Sequence, residues 1–320
     1  MKAAVLHELG QLPRFEEFPD PVAGDGEAIV EMRAAGIHPI VKALAAGTHY
    51  GSTGDMPFIV GVDGAGALED GTRVYCGTAR KPYGTMAQRA VVPKGMCLPL
   101  PDGLSDETAA AMANPGMSAW LSLTWRAQLA AGETVLILGA TGVAGQLAIQ
   151  MAKMLGAARV IAAGRNPELL ERLKARGADA TIQLDQPDAD LVAAFAQEVK
   201  AGGIDVVIDY LWGRPTEALI QAISQKGLNR KAKRVRLVEV GQSAGATITL
   251  PADVLRSSGL EINGSGFGSA SIEQILKAIP EFFAMAASGK LQMETERVPL
   301  AQIEEVWTRR GDGSRLVVVP

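Results

Sequence analysis

Between residues 28 and 34 the sequence AIVEMRA alternates, placing Ala28, Val30, Met32 and Ala34 on one side of a strand and Ile29, Glu31 and Arg33 on the other. Up to about residue 105 the chain keeps this texture of short strands broken by glycine and proline, as in GSTGDMP, GVDGAGALEDGTRVY and KPYGTMAQRAVVPKGMCLPLPDG. That predicts an antiparallel, barrel-like domain rather than a helical one. After LSDETAAAMANPGMSAW the pattern changes: apolar runs alternate with helical periods. ETVLILG precedes GQLAIQMAKMLGA, ARVIAAG precedes PELLERLKARG, ADATIQL precedes DLVAAFAQEVKAGG, IDVVIDY precedes PTEALIQAISQKG, and RVRLVEVG closes the series. Strand and helix in strict alternation predict a parallel, doubly wound sheet with right-handed crossovers. Val135 to Leu138 are apolar at every position, as expected of a strand covered on both faces. In the first helix Leu147, Met151, Met154 and Leu155 recur at i, i+4, i+7 and i+8, predicting one buried stripe. Beyond about residue 255 the texture is mixed again, with a helix around SIEQILKAIPEFFAMAASG and a last strand LVVVP, so the chain is expected to return to its first domain.

Composition narrows the partners. A hydrophobic content of 48%, 21% charged residues and a net charge of -4 describe an ordinary globular protein without the basic excess that draws nucleic acid or anionic lipid. No secretory signal and no membrane-spanning run are evident, so no membrane association is expected and the compartment is read as cytoplasmic. Cys76 and Cys97 form no C-x-x-C pair, which fits reduced thiols rather than a disulfide framework or a cysteine-rich zinc site.

The strongest local chemistry lies in ETVLILGATGVAGQLAIQMAK, where a buried strand meets Gly139, Gly142 and Gly145 and then an amphipathic helix. Such a turn lets backbone approach a pyrophosphate, whose charge is held by free amides at the helix amino end. The expected cradle is Gly142, Val143 and Ala144. The spacing is G-x-x-G-x-x-G, so a structural tight turn is the competing reading. The next strand ends in Gly164, Arg165 and Asn166, where an NAD site would carry an acidic residue for the ribose hydroxyl. A cation there suits a 2'-phosphate, so NADPH is the expected cofactor; a solvated Arg165 is the alternative. Glu168 reads as a first-turn helix residue. Gly241 and Gln242 follow a strand's carboxyl end, where open sheets bind ligands, and Tyr210 points to the same edge, with simple packing as its alternative. The basic run NRKAKRVR, residues 229 to 236, reads as a solvated helix-to-strand loop, with a cation near the cofactor as the alternative.

Beyond these local signals, MKAAVL, AAGIHP, PFIVGVDGAG, GTRVY, PDGLSDETAAAM, NPGMSAW, GATGVAG and LVVVP together resemble the medium-chain dehydrogenase/reductase superfamily, and within it the zinc-independent quinone oxidoreductase group. The resemblance implies an α/β protein in which a Rossmann doubly wound parallel sheet, residues 115–254, is inserted into a GroES-like β-rich catalytic domain, residues 1–114 and 255–320. It also implies a homodimer and a small-molecule substrate: a quinone or an activated alkene such as an enone or enal. Enoyl-thioester reduction, or a low-turnover NADPH-binding redox sensor, are the competing functions. Where zinc-dependent members carry metal ligands, this chain has His38, Val62 followed by Asp63, and Asn114 or its neighbours; only His38 coordinates well, against the three ligands a catalytic zinc needs.

Without a Lewis acid, an oxyanion formed by hydride arrival needs hydrogen-bond donors and a route for a proton. The group commonly has asparagine where this chain has His38, so the resemblance puts His38 near the nicotinamide as the donor; a buried histidine bonded to backbone is the alternative. Tyr50, with His49, stands in for a tyrosine the group carries where this chain has Ala43, or is simply an exposed loop residue. Ser118 matches a cofactor-side threonine, against a helix-surface serine, and Ser265, Gly266 and Phe267 match the backbone that meets the nicotinamide amide, against a plain glycine-rich turn.

Overall fold

The structure is a computed structural model that describes residues 1–224, 232–266, 268–309 and 313–320. The chain divides into two compact units, Met1–Pro115 with Ile279–Pro320, and Gly116–Ala278. Among the described residues no helix is long and apolar enough to cross a membrane.

In the first unit the alternation read at residues 28–34 is realised: Val30, Met32 and Ala34 are buried while Glu31 and Arg33 are exposed. This strand, Glu27–Gly36, is the spine of the unit. Its first half pairs antiparallel with Arg89–Pro93. Asp63–Ala67 pairs beside it with a bulge between Met32 and Ala34, and a bulge bends a strand and re-aims the residues that follow. At its end Ala35 and Gly36 pair with Val318 and Val317 of the last strand, Arg315–Val319. Three segments distant in sequence therefore converge where the spine strand ends, just before His38. The last strand also pairs in parallel with Thr295–Pro299, the one parallel pairing in an otherwise antiparallel set among the described residues of this unit. Ala4, Leu6, Ile37, Val41, Met86, Trp307 and Val318 share a core beneath that convergence.

The second unit holds a parallel sheet that, among the described residues, runs in the order Ala180–Gln183, Arg159–Gly164, Thr134–Leu138, Val206–Asp209, Arg234–Glu239, Gly259–Gly264. The five strands expected from the apolar runs all form. The sequence builds outward from Thr134–Leu138 in one direction and then returns to its other side, which makes the carboxyl ends of Thr134–Leu138 and Val206–Asp209 the topological switch point. Leu136, Leu138, Ile161, Phe195, Val207 and Leu237 are all buried in its core; each such side chain stabilises the fold by about 1.5–3 kcal/mol.

Three details differ from expectation. The sequence reading returns the chain to its first domain near residue 255, whereas Gly259–Gly264 still pairs along Arg234–Glu239 and the division falls between Ala278 and Ile279; an open sheet edge recruits a strand whatever its texture suggests. Met154, placed in the buried stripe, is 43% exposed because it closes the last turn of Val143–Met154, while Leu147 and Met151 are fully buried. Residues 229–231 of the basic run lie outside the described residues; of the rest, Arg236 is no solvated loop residue but lies buried in a strand, donating to the Ala127 carbonyl and pairing with Glu133.

Candidate functional site

The glycine turn of the second unit is built as a cradle. Gly139 has φ +86°, a conformation a side chain resists. At Gly145 a Cβ would lie 2.5 Å from the Gly139 carbonyl oxygen and 2.6 Å from the Ala140 Cα, so only glycine lets the helix pack this closely on the turn. Gly142 is exposed and caps the helix without any side-chain hydrogen bond. The first amides of the helix, from Val143 onward, have no carbonyl within it to bond and point toward the open end of the turn. That donor set fits a pyrophosphate.

One strand over, Ala163 pairs with Leu138, which brings Gly164, Arg165 and Asn166 beside the cradle. Gly164 is buried, and a Cβ on it would meet the Thr141 side chain at 2.6 Å. Arg165 is exposed and makes no ion pair among the described residues. Asn166 has a structural role, because its side chain caps the helix Pro167–Lys174 by accepting the Leu169 amide at 3.1 Å. Glu168 sits in that helix's first turn, as expected.

At the other side of the switch point, the Tyr210 hydroxyl is buried beside the Ser118 side chain without a well-aligned hydrogen bond, and burial pushes its phenol far above the usual tyrosine range. The Ser122 hydroxyl lies 2.7 Å from the Ser118 carbonyl and 3.0 Å from the Ser265 hydroxyl. The Gly266 amide donates to the Ser269 hydroxyl at 2.8 Å, and Arg126, stacked 3.9 Å over Trp125, donates to the Ser269 carbonyl. Ser122 and Arg126 belong to a π-helical turn, Ser122–Arg126, a feature that widens a helix and recurs at functional sites. The sequence reading missed both, since a π turn has no periodic signature. Gly241 donates to the Asp209 carbonyl at 3.2 Å and Gln242 is exposed. Phe267 lies outside the described residues.

The polar residues of the first unit form a separate cluster. His38 follows the end of the spine strand and stands at the start of the helix Pro39–Ala45 without capping it. Its ring is fully buried, and its Nε2 lies 3.3 Å from Oδ1 of Asp63, which is 4% exposed. The pair is near enough for an ion pair, yet neither atom nor His38 Nδ1 has an aligned hydrogen bond. The expectation of a histidine satisfied by backbone therefore does not describe this ring. Tyr75 donates to the second Asp63 oxygen at 2.6 Å. Arg315, 9% exposed, donates to the Ile37 carbonyl at 2.8 Å; burial pushes its guanidinium down to about 10, a fall the Asp63 charge opposes. Asp63, Tyr75 and Arg315 had no sequence signal as a set, because they come from three strands. Tyr50 is apart from this buried cluster: it is 75% exposed and stacks on His49 with ring centroids 4.1 Å apart. The His49 Nδ1 accepts the Gly51 amide, and burial lowers its imidazole from the ordinary value. Among the described residues no group of three or more His, Cys, Asp or Glu side chains is arranged to hold a metal.

Comparison with known proteins adds to this geometry. A family profile described as zinc-binding dehydrogenase matches residues 143–283, a span that does not include positions 38, 62, 63 or 114. A probable NADPH-dependent quinone reductase, tdiC of Emericella nidulans, is 25% identical, covering 96% of this chain and 96% of its own. Prostaglandin reductase-3 of Mus musculus is 29% identical over 75% of this chain and 61% of its own. Among solved structures, the quinone oxidoreductase of Thermus thermophilus, also solved in complex with NADPH, is 28% identical with a TM-score of 0.80 and full coverage of both chains.

Proposed function

Because the chain belongs to the medium-chain dehydrogenase/reductase superfamily, in its quinone oxidoreductase group, we propose that it is an NADPH-dependent oxidoreductase that reduces a quinone or an alkene conjugated to a carbonyl, without a catalytic zinc. The observation that carries the reading is the pairing of two features at adjacent strand ends: the side-chain-free cradle at Gly142, and the exposed Arg165, unpaired among the described residues. One binds a pyrophosphate; the other distinguishes NADPH from NADH.

When bound, NADPH supplies a hydride. The remaining work falls to the protein. The Val143 and Ala144 amides hold the pyrophosphate at the positive end of their helix. Arg165, with a bidentate guanidinium, takes the 2'-phosphate, and the Asn166 side-chain nitrogen is free to add to it because only the oxygen is spent on the cap. Gly241, Gln242, Ser118, Ser265 and Gly266 would receive the nicotinamide end. His38 donates a proton to the oxygen on which charge develops, and Tyr50 with His49 offers an aromatic surface to a flat acceptor. Ligand identity speaks against zinc, since Val62 and Asn114 cannot complete a sphere begun by His38.

The test compares NADPH and NADH affinities in the parent and in Arg165→Ala, and NADPH oxidation with quinones, enones and enoyl thioesters. Loss of a charged partner should weaken NADPH roughly 10- to 100-fold and leave NADH unchanged. An unaltered NADPH preference would sink the phosphate assignment, and turnover confined to thioesters would replace the proposed substrate class.

A further inference from the structure

The two carboxylate oxygens of Asp63 have different surroundings. Oδ2 accepts the Tyr75 hydroxyl at 2.6 Å, and the residue's backbone carbonyl accepts the Thr85 hydroxyl at 2.8 Å, so Asp63 is anchored by two hydroxyls. Oδ1 has no partner except the His38 Nε2, 3.3 Å away. The imidazole has little freedom to turn from it: a Cβ at Gly36 would stand 2.5 Å from both Cε1 and Nε2, so the backbone closes against that edge of the ring, and the Ala110 carbonyl lies beside the same spot. A buried carboxylate oxygen facing a ring nitrogen demands a proton on that nitrogen, since lone pair against lone pair leaves both unsatisfied.

We infer that Asp63, held by the Tyr75 hydroxyl, is a positioning residue that fixes His38 with its proton on Nε2 and so leaves Nδ1, buried in the cofactor-free chain, as the ring nitrogen through which proton exchange with an acceptor must pass. This rests on the proposed function, in which His38 serves the acceptor. Hydride arrival at the conjugated carbon moves an electron pair onto the carbonyl oxygen. The Nδ1–H bond of the imidazolium then breaks and an O–H bond forms. The ring is left neutral, still carrying its Nε2 proton toward Asp63, and regains the other proton from water. The acceptor has gained one hydride and one proton, and no other reactant is needed.

The titratable groups around the His38–Asp63 pair leave the ring this role. Tyr75 lies on one neighbouring strand, with the adjacent Cys76 turned to the other face against Met32; Arg315 lies on another strand, and Lys42 on the helix that His38 begins. Burial pushes the Tyr75 phenol and the Cys76 thiol far up, so both stay neutral, and Arg315 near 10 stays cationic through neutral pH. Lys42 is lowered by burial first and by Arg315 second, and it donates to the Arg309 carbonyl rather than to the cluster.

The experiment is nitrogen NMR of the imidazoles in the cofactor-free protein, with the signal of His38, one of three histidines, assigned by its loss in His38→Asn. The neutral ring should carry its proton on Nε2 in the parent. In Asp63→Asn, whose amide can present a donor in place of an acceptor, the proton should move partly or wholly to Nδ1. In turnover, Asp63→Asn should lower kcat roughly 10- to 100-fold at unchanged NADPH affinity and add almost nothing to the loss in His38→Asn, while Tyr75→Phe should lower it a few-fold. A parent ring protonated on Nδ1, or an Asp63→Asn loss undiminished in the His38→Asn background, would overturn the inference. A parent that binds NADPH but reduces no acceptor overturns the functional reading instead, and the NMR comparison then still decides the role of Asp63.

Discussion

Asp63 and Asp209 are both buried carboxylates at strand ends, and they differ in how their oxygens are partnered. Asp209, fully buried, spends one oxygen on the Leu211 and Trp212 amides at 2.8 and 2.9 Å and the other on the Thr216 hydroxyl. Burial still pushes its carboxyl up, and the three donors pull it back. Asp63 leaves one oxygen to a histidine that is itself without an aligned partner. A carboxylate that is fully satisfied has no capacity left for chemistry; one that is half satisfied beside an imidazole has.

The comparison breaks most visibly at Asp209. Its hydrogen bonds hold Trp212 at φ +56°, a left-handed backbone that a tryptophan does not adopt unaided. Asp209→Ala should cost about 3 kcal/mol in urea unfolding, from the donors it leaves orphaned and less whatever strain at Trp212 is released, and a loss below about 1 kcal/mol would show the satisfied carboxylate to be dispensable. Next in size is Gly36→Ala, which drives a methyl against the His38 ring and the Ala110 carbonyl. It should cost about 1–3 kcal/mol and lower turnover far more than that loss of stability explains; full turnover would mean the ring's seat is unimportant. Smallest is Glu239→Gln. Burial first, and the Asp209 charge second, raise the Glu239 carboxyl in the folded state. A raised carboxyl binds its proton more tightly folded than unfolded, so it carries no penalty in acid and costs stability as pH rises from its unfolded value through its raised one. Glutamine removes that cost: Tm should rise slightly at neutral pH, and the gain should vanish below the ordinary carboxylate range. A gain equal at both pH values would assign it to packing.

How much was legible follows from the range of the interactions. The strands Thr134–Leu138 and Val206–Asp209, the turn at Gly139 to Gly145, and the helix that begins after Asn166 are written in neighbouring residues, and each formed where the pattern placed it. The strand Gly259–Gly264 was illegible because its pairing partner, Arg234–Glu239, supplies the reason for it. Met154 was misread because periodicity does not say where a helix outruns what covers it.

By itself, then, the sequence determined the alternation of elements, the glycine cradle and the cation beside it, because those depend on steric permission and charge over a few residues. Only the tertiary structure decided what His38 faces. Residues 38, 63, 75 and 315 are assembled by three strand pairings and a bulge, and nothing local in any of the four segments encodes that a carboxylate, anchored by a phenol, will lie 3.3 Å from the ring.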